Sequence, residues 1–428
     1  MSDMANKREV KKLTQSVRLY LVKTANLPSL IEIVHTEEGL RFFFSNGSLE
    51  KYVATEAGIT FVPARLRLCP IPDIRVLDYL DEADSGLFDD VEEFIYEHVD
   101  LPNQTDYKIQ AAYIMHTYIV EKAETTPIIR FCGPKGCGKS RGGDVHSQLA
   151  RRGILTANLT GPGLYRVNEL YNSPTLIIDE IQIHGRNGDK NLKDLLNVRY
   201  RRGSQIIRIN RDHSGVGAIE TFDAYGPTVL MGTEELPDTV NSRSIPFYME
   251  ANQREVRRHI DKERACNLRN RLAAFRFRHF NTALIEPDRV VSSGRLDEVL
   301  LPLHQIIKLV KPQFEADFIV FAKQLESDRK EEDFESFDAE ICRALVAGRS
   351  KVVSGKIAVD DVTSEVNSMR QYPLSQRTVG SALTRLGLKT CRIAGTGKYA
   401  RLWDENRIIR LASKFDVHYP TGRTKRSV

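Results

Sequence analysis

The segment Gly133-Pro134-Lys135-Gly136-Cys137-Gly138-Lys139-Ser140 spaces its glycines, lysine and hydroxyl as G-x-x-x-x-G-K-S, the pattern of a loop that wraps phosphates. Glycines let successive backbone N–H groups turn onto phosphate oxygens, and a helix starting at the loop's end adds positive potential. Lys139 is then expected to reach the β- and γ-phosphates of ATP and the Ser140 hydroxyl to ligate Mg²⁺, with Arg141 closing the nucleotide-binding run. Residues 128–132 in front read as a strand and residues 140–151 behind read as a helix, which is the context the motif needs. Taken alone, the loop also fits a glycine-rich turn with an incidental lysine.

Residues 174–180 (Pro-Thr-Leu-Ile-Ile-Asp-Glu) form an apolar run that ends in two carboxylates. Asp179 is expected to hold Mg²⁺ through water, and Glu180 to polarise an attacking water as general base. A second carboxylate suits hydrolysis better than transfer to a small acceptor. A further strand, 228–231, ends at Gly232-Thr233, where Thr233 is placed to orient the lytic water; an ordinary strand-end turn is the alternative. Arg243 precedes another apolar run, 245–249, and fits either an arginine finger given to a neighbouring subunit or a surface ion pair. Residues 205–209 and 218–222 frame a turn at 210–217 that carries Arg211 and His213. Those two side chains suit phosphate contacts, though a hairpin simply exposed to solvent has the same pattern.

These residues need a scaffold, and the chain is long enough to supply one. Its 428 residues, 41% hydrophobic, predict two to four domains at roughly 100–200 residues each, with no need for disulfides. No apolar run approaches a membrane helix, no signal-peptide core opens the chain, and the six cysteines form no CxxC pair, so reduced thiols and a cytoplasmic location are expected. Residues 1–75 read as a β-rich N-terminal region, 76–126 as a helical collar, 127–250 as an α/β core and 251–325 as a helical lid. A charged linker is expected over 326–335.

Residues 336–348, 359–369 and 375–386 then read as helices, with Ser375 as an N-cap, followed by a hairpin over 389–403 that turns at 394–397. The pattern over 336–415 is that of a winged helix, ahead of a basic tail at 416–428. Net charge is only +5, but it is segregated: residues 81–106 hold ten acids and no Lys or Arg, and 375–402 hold six bases and no acids. The acid-free stretch favours DNA phosphate contacts through Arg377, Arg385, Lys389, Arg392, Lys398 and Arg401, although winged helices also dock protein. The arginines of 254–278 read as lid faces and subunit contacts. The acidic stretch reads as a solvated helix face, or as a contact for a neighbour's basic patch.

Together, 126–140, 174–180, 195–197, 222–227 and 236–245 resemble the AAA+ ring ATPases, and within them the helicase-like ATPases of plasmids, phages and integrative elements. Those are related in outline to superfamily 3 and MCM-type helicases. The resemblance covers roughly residues 90–310. It implies an α/β P-loop AAA+ core, a Mg²⁺-dependent ATP hydrolase, and a ring, hexameric in type, that moves on or unwinds single-stranded or forked DNA. It also implies that the 205–222 hairpin projects into a central channel. Two departures stand out: Thr233 where asparagine is more usual, and no clearly aligned second sensor among Arg254, Arg257 and Arg258. The rival expectations are an ATP-driven loader or remodeller, and a winged-helix initiator or regulator whose ATPase only controls assembly.

Overall fold

A computed structural model describes residues 17–21, 27–55, 59–157, 160–180, 190–209, 219–393 and 398–420. The chain divides into two units, Met1–Ala322 and Lys323–Val428.

In the first unit the β-branched and aromatic runs near the start form β1 (Val17–Leu21), β2 (Leu30–Thr36), β3 (Gly39–Phe44), β4 (Leu49–Glu50), β5 (Val53–Ala54) and β6 (Ile59–Pro63). Strands β2, β3 and β4 pair antiparallel; β6 pairs parallel with β1 and antiparallel with β5. Leu30, Ile33, Phe42 and Phe44 share one apolar core with Ile128, Leu176 and Leu230. The N-terminal strands are therefore packed onto the rest of the unit. Glu32 on β2 fixes that packing: its buried carboxylate takes Arg151 Nε at 2.9 Å and also pairs with Arg152. Burial alone would raise its pKa, but Arg152 and then Arg151 overcome that and hold it at about 2.

The motif residues are carried by a five-stranded parallel sheet: β7 (Ile128–Cys132), β8 (Ile154–Thr156), β9 (Leu176–Ile178), β12 (Thr228–Gly232) and β13 (Ser244–Tyr248), in the order β13-β7-β12-β9-β8. These strands are short, continuous apolar runs, as a sheet covered on both faces requires. Strand β12 lies between β7 and β9, with Gly232 opposite Cys132 and Leu230 opposite Ile178. A separate antiparallel hairpin, β10 (Gln205–Ile209) and β11 (Ile219–Asp223), runs into β12 through residues 224–227. The expected turn with Arg211 and His213 lies outside the described residues.

The helices of this unit are α1 (Asp84–His98), α2 (Gln104–Tyr118), α3 (Lys139–Leu149), α4 (Gly161–Tyr171), α5 (Lys190–Arg199), α6 (Asp238–Asn241), α7 (Lys262–His279) and α8 (Gly294–Val310). Arg199 is fully buried and gathers the strand entrances: its guanidinium donates to Thr228 Oγ1 (2.9 Å), Asn168 Oδ1 (2.6 Å) and the carbonyls of Pro174 (3.0 Å) and Pro227 (2.9 Å).

The lid region is less helical than its pattern predicts, because residues 252–261 and 280–293 carry no helix. The charge blocks also resolve differently. Arg264 pairs with Glu97 at 2.8 Å and also with Glu93; Arg271 reaches Asp90 at 2.6 Å, Arg278 reaches Asp84 at 2.6 Å, and Arg254 reaches Asp100 at 3.2 Å. The acidic collar and the arginine-rich helix are thus each other's partners within one chain.

The expected linker at 326–335 is the second half of a helix, α9 (Glu315–Glu335). The second unit continues as α10 (Phe337–Ala347), β14 (Lys356–Ala358), α11 (Val359–Ser368), α12 (Gln376–Arg385), β15 (Thr390–Arg392), β16 (Tyr399–Leu402) and α13 (Glu405–Lys414). Its antiparallel sheet has the order β14-β16-β15, and Ile341, Val362, Val379, Leu383 and Ile408 form its core. Ser375 Oγ accepts from the Thr378 N–H at 3.2 Å and starts α12.

Candidate functional site

The loop after β7 and the helix α3 behind it fit together through glycines. At Gly133 the backbone has φ +147, and a Cβ would collide with the Met249 carbonyl oxygen. At Gly142 a Cβ would stand 2.8 Å from the Phe131 ring. The glycines therefore let α3 lie close against the sheet, aiming its N-terminus at the loop.

Three strand ends open into one cleft of about 660 Å³, lined by Lys135, Gly136, Gly138, Lys139, Ser140, Arg141, Asp179, Glu180, Gly232, Thr233 and Glu234. Most of the expected nucleotide and metal residues meet there. Gly133, Pro134 and Cys137 are the loop's own frame, with Cys137 buried beneath it. Lys139 Nζ donates to the carbonyls of Gly133 (2.8 Å) and Pro134 (2.6 Å). An arriving phosphate would compete for that ammonium. Ser140 Oγ donates to Asp179 Oδ2 at 3.2 Å, so a hydroxyl and a carboxylate oxygen already stand together. Hard oxygen donors in this arrangement fit Mg²⁺.

Glu180 has a left-handed backbone, φ 51, and its N–H donates to Asp179 Oδ1 at 3.0 Å. Non-glycine residues adopt that conformation at a cost, and such strain clusters at working sites. The turn directs consecutive carboxylates from one strand end toward the cleft. Thr233 follows Gly232 of β12 and so lies between the phosphate loop and Asp179.

No motif or spacing signals a smaller hollow of about 220 Å³ on the other side of Gly138 and Arg141, lined also by His98, Val99, Asp100, Asn252 and Val256. Its residues come from the end of α1 and from the segment after β13, which only the fold unites. Burial lowers the pKa of His98. Its Nδ1–H donates to the Phe94 carbonyl at 2.7 Å while Nε2 accepts the Asp261 N–H at 3.2 Å, fixing a neutral tautomer.

Arg243 is not in the cleft. It precedes β13 at the opposite end of the sheet, where its guanidinium stacks on Tyr200 at 4.6 Å and Nη1 donates to the Thr239 carbonyl.

In the second unit the expected DNA-contacting residues fall into three groups. Arg377 and Lys389 are exposed on or beside α12, and Arg392 stacks on the exposed Tyr399 at 5.1 Å. Arg385 pairs with Asp338, and Lys398 with Asp360 at 3.3 Å, all at the surface. Arg401 departs from expectation: it is 5% exposed, and Nη2 donates inward to the Gly380 carbonyl at 2.6 Å and Thr384 Oγ1 at 3.0 Å. It seats the β-hairpin on α12, so a phosphate contact is not its role.

No family model and no curated protein matches the chain. Among solved structures it is similar to the C-terminal region of NrS-1, at 13% identity and TM-score 0.36 over 83% of this chain and 82% of that one. It is likewise similar to SCCmec type IV Cch, an active helicase, at 12% identity and TM-score 0.39 over 90% and 79% of the two chains. A full-length MCM homolog from Methanopyrus kandleri gives 12% identity and TM-score 0.38 over 69% and 72%. At TM-scores below 0.5 these likenesses carry no functional weight; the geometry of the cleft does.

Proposed function

We propose that the chain is a Mg²⁺-dependent AAA+ ATP hydrolase that works as a ring-forming DNA helicase or translocase in the replication of a mobile element or virus. The observation that carries the hydrolase reading is the convergence of Lys139, Ser140, Asp179, Glu180 and Thr233 on one cleft. Strand β12, inserted between the two motif strands, makes that convergence possible. Backbone N–H groups of 135–141 and Lys139 bind and orient the triphosphate, and the smaller hollow beside Gly138 takes the base. Ser140 and Asp179 would hold Mg²⁺, which when bound supplies charge neutralisation on the phosphate oxygens. Glu180 accepts a proton from water, and Thr233 orients that water for in-line attack.

The helix, strand, helix, helix and hairpin order of the second unit supports a winged-helix reading. Its exposed Arg377, Lys389 and Arg392 then face duplex phosphates, with Arg385 and Lys398 available once their surface ion pairs open. In this reading the segment that joins β10 to β11, with Arg211 and His213 in its sequence, contacts a DNA strand.

The test pairs two assays on the full chain. DNA-stimulated ATP hydrolysis that Lys139→Ala abolishes supports the nucleotide chemistry. Displacement of a labelled strand from forked DNA supports the helicase step; hydrolysis without displacement would sink it.

A further inference from the structure

The five strands of the parallel sheet carry a single charged residue, Arg130 in the middle of β7. A covered parallel strand is ordinarily apolar throughout, so a guanidinium there needs a reason. Phe131 faces α3, since a Cβ on Gly142 would meet its ring. Arg130 therefore points to the other face, where Leu236 and Val240 pack with Ile128. On that side its Nη2 donates to the Glu234 carbonyl at 2.8 Å, and Nη1 donates to Asn241 Oδ1 at 3.4 Å.

These bonds fix the turn that leaves β12. Leu230 stands opposite Arg130 in register, and Glu234 is four residues further on. Run straight, that segment would carry Glu234 roughly 13 Å past Arg130, beyond the reach of its side chain. The bond thus requires the chain to fold back over the face of β7, and Thr233 and Glu234 form the bend. Both residues line the cleft beside Lys139 and Glu180. Among the described residues no other side chain bonds to residues 233–235. The far anchor is firm. Val240 is buried, the Asn241 N–H donates to the Pro237 carbonyl at 2.9 Å, and the Asn241 carbonyl accepts Ser244 Oγ at 2.9 Å. A charged donor makes a stronger bond to a carbonyl than a neutral one does. Arg130 is a strut between a braced helix and a turn that lacks other side-chain support.

Arg130 itself does not line the cleft, so its effect passes through where the Thr233 hydroxyl stands. Displacing such a group by ~1 Å can cost about a hundredfold in rate. We propose that Arg130 is a positioning residue for ATP hydrolysis: by holding the Glu234 carbonyl against β7 it sets Thr233 for the attacking water, and so governs turnover without contributing to nucleotide binding. The proposal rests on the hydrolase reading above, and it adds a residue outside both the phosphate loop and the acidic strand end.

The test compares full-length Arg130→Gln, Arg130→Lys, Thr233→Ala and the double variant Arg130→Gln/Thr233→Ala. Arg130→Gln should lower kcat by about 10–100-fold while KM for ATP and affinity for a fluorescent ATP analogue stay as in the unsubstituted chain. Arg130→Lys keeps a charged donor for the Glu234 carbonyl and should turn over faster than Arg130→Gln. Since Arg130 acts through Thr233, the double variant should be no slower than the slower single one. If Arg130→Gln does not fold, Arg130→Lys takes its place under the same two criteria, a loss in kcat alone and no further loss in the double variant. Ordinary kcat in the arginine variant overturns the proposal. So does a matching loss of analogue affinity, because the strut would then merely support the site. A double variant slowed by the product of the two single effects overturns it too, since the residues would act independently. Ordinary turnover by Thr233→Ala removes Thr233 and the strut but leaves the hydrolase reading standing. An unsubstituted chain that binds the analogue and hydrolyses nothing removes the hydrolase reading itself.

Discussion

Glu180 occupies a backbone conformation that costs a side-chain-bearing residue ~1–2 kcal/mol. In the proposed hydrolase, the carboxylate it directs is the group that separates binding from hydrolysis. Glu180→Gln should keep ATP affinity while lowering turnover by about 10²–10⁴, measured by nucleotide titration beside a phosphate-release assay. A variant that hydrolyses normally would remove Glu180 as the base. Glu32 makes a different residue-scale case, because its effect is on stability. Its carboxyl drops from 4.5 to about 2 on folding. That depressed value stabilises the fold above the unfolded pKa and is lost as pH falls through the folded one. The contribution is roughly 3 kcal/mol at neutral pH. Denaturant titrations from pH 6 down toward 2 should show the loss in the unsubstituted chain and a flatter profile in Glu32→Gln. The phosphate-loop residues were legible because their chemistry is written in contiguous sequence. Tyr200, Glu32 and Asn252 were not, since each gains its meaning from partners distant in the chain.

At the scale of elements, the legible features were those with a strong local period. Strands 128–132, 176–178, 228–232 and 244–248 stand where apolar runs predicted them. The segment 326–335 misled because a run of charges at a solvated surface looks the same in a linker and in a helix. Helix α9 continues through it, and its Lys330–Glu326 pair is spaced i,i+4. Residues 252–261 misled the other way, because arginines with high helix propensity are drawn into bonds to the collar, such as Arg254 N–H to Asp100 Oδ2 at 3.3 Å. The contact between α3 and β7 gives this scale its prediction. Gly142→Ala places a methyl against the Phe131 ring, and such overpacking costs about 1–3 kcal/mol. The loss should appear in thermal unfolding and be accompanied by weaker ATP binding, since α3 carries the loop. An unchanged melting temperature would contradict the close approach.

Across the whole molecule, the charge map reads differently once partners are assigned. The arginines of α7 are committed to the collar, whereas Arg377 and Lys389 stand exposed. Arg264→Ala and Arg271→Ala should therefore lower thermal stability with little change in DNA affinity. Arg377→Ala and Lys389→Ala should leave stability alone, weaken DNA binding and flatten its salt dependence by about one unit of slope each. The reverse pattern in a salt titration would reassign the DNA face. Sequence alone revealed that charge was segregated, but partnership depends on which helices the fold brings together. The inserted strand β12 has a mechanical consequence of its own. Its first residue, Thr228, is held by Arg199 and by the Tyr113 hydroxyl, and its far end delivers Thr233. The hairpin β10–β11 feeds directly into it through four residues. Load on the hairpin and occupancy at the phosphate end thus act on opposite ends of one stiff pushrod. Adding a glycine between Ala224 and Pro227 would introduce slack, leaving basal hydrolysis running while DNA no longer quickens it.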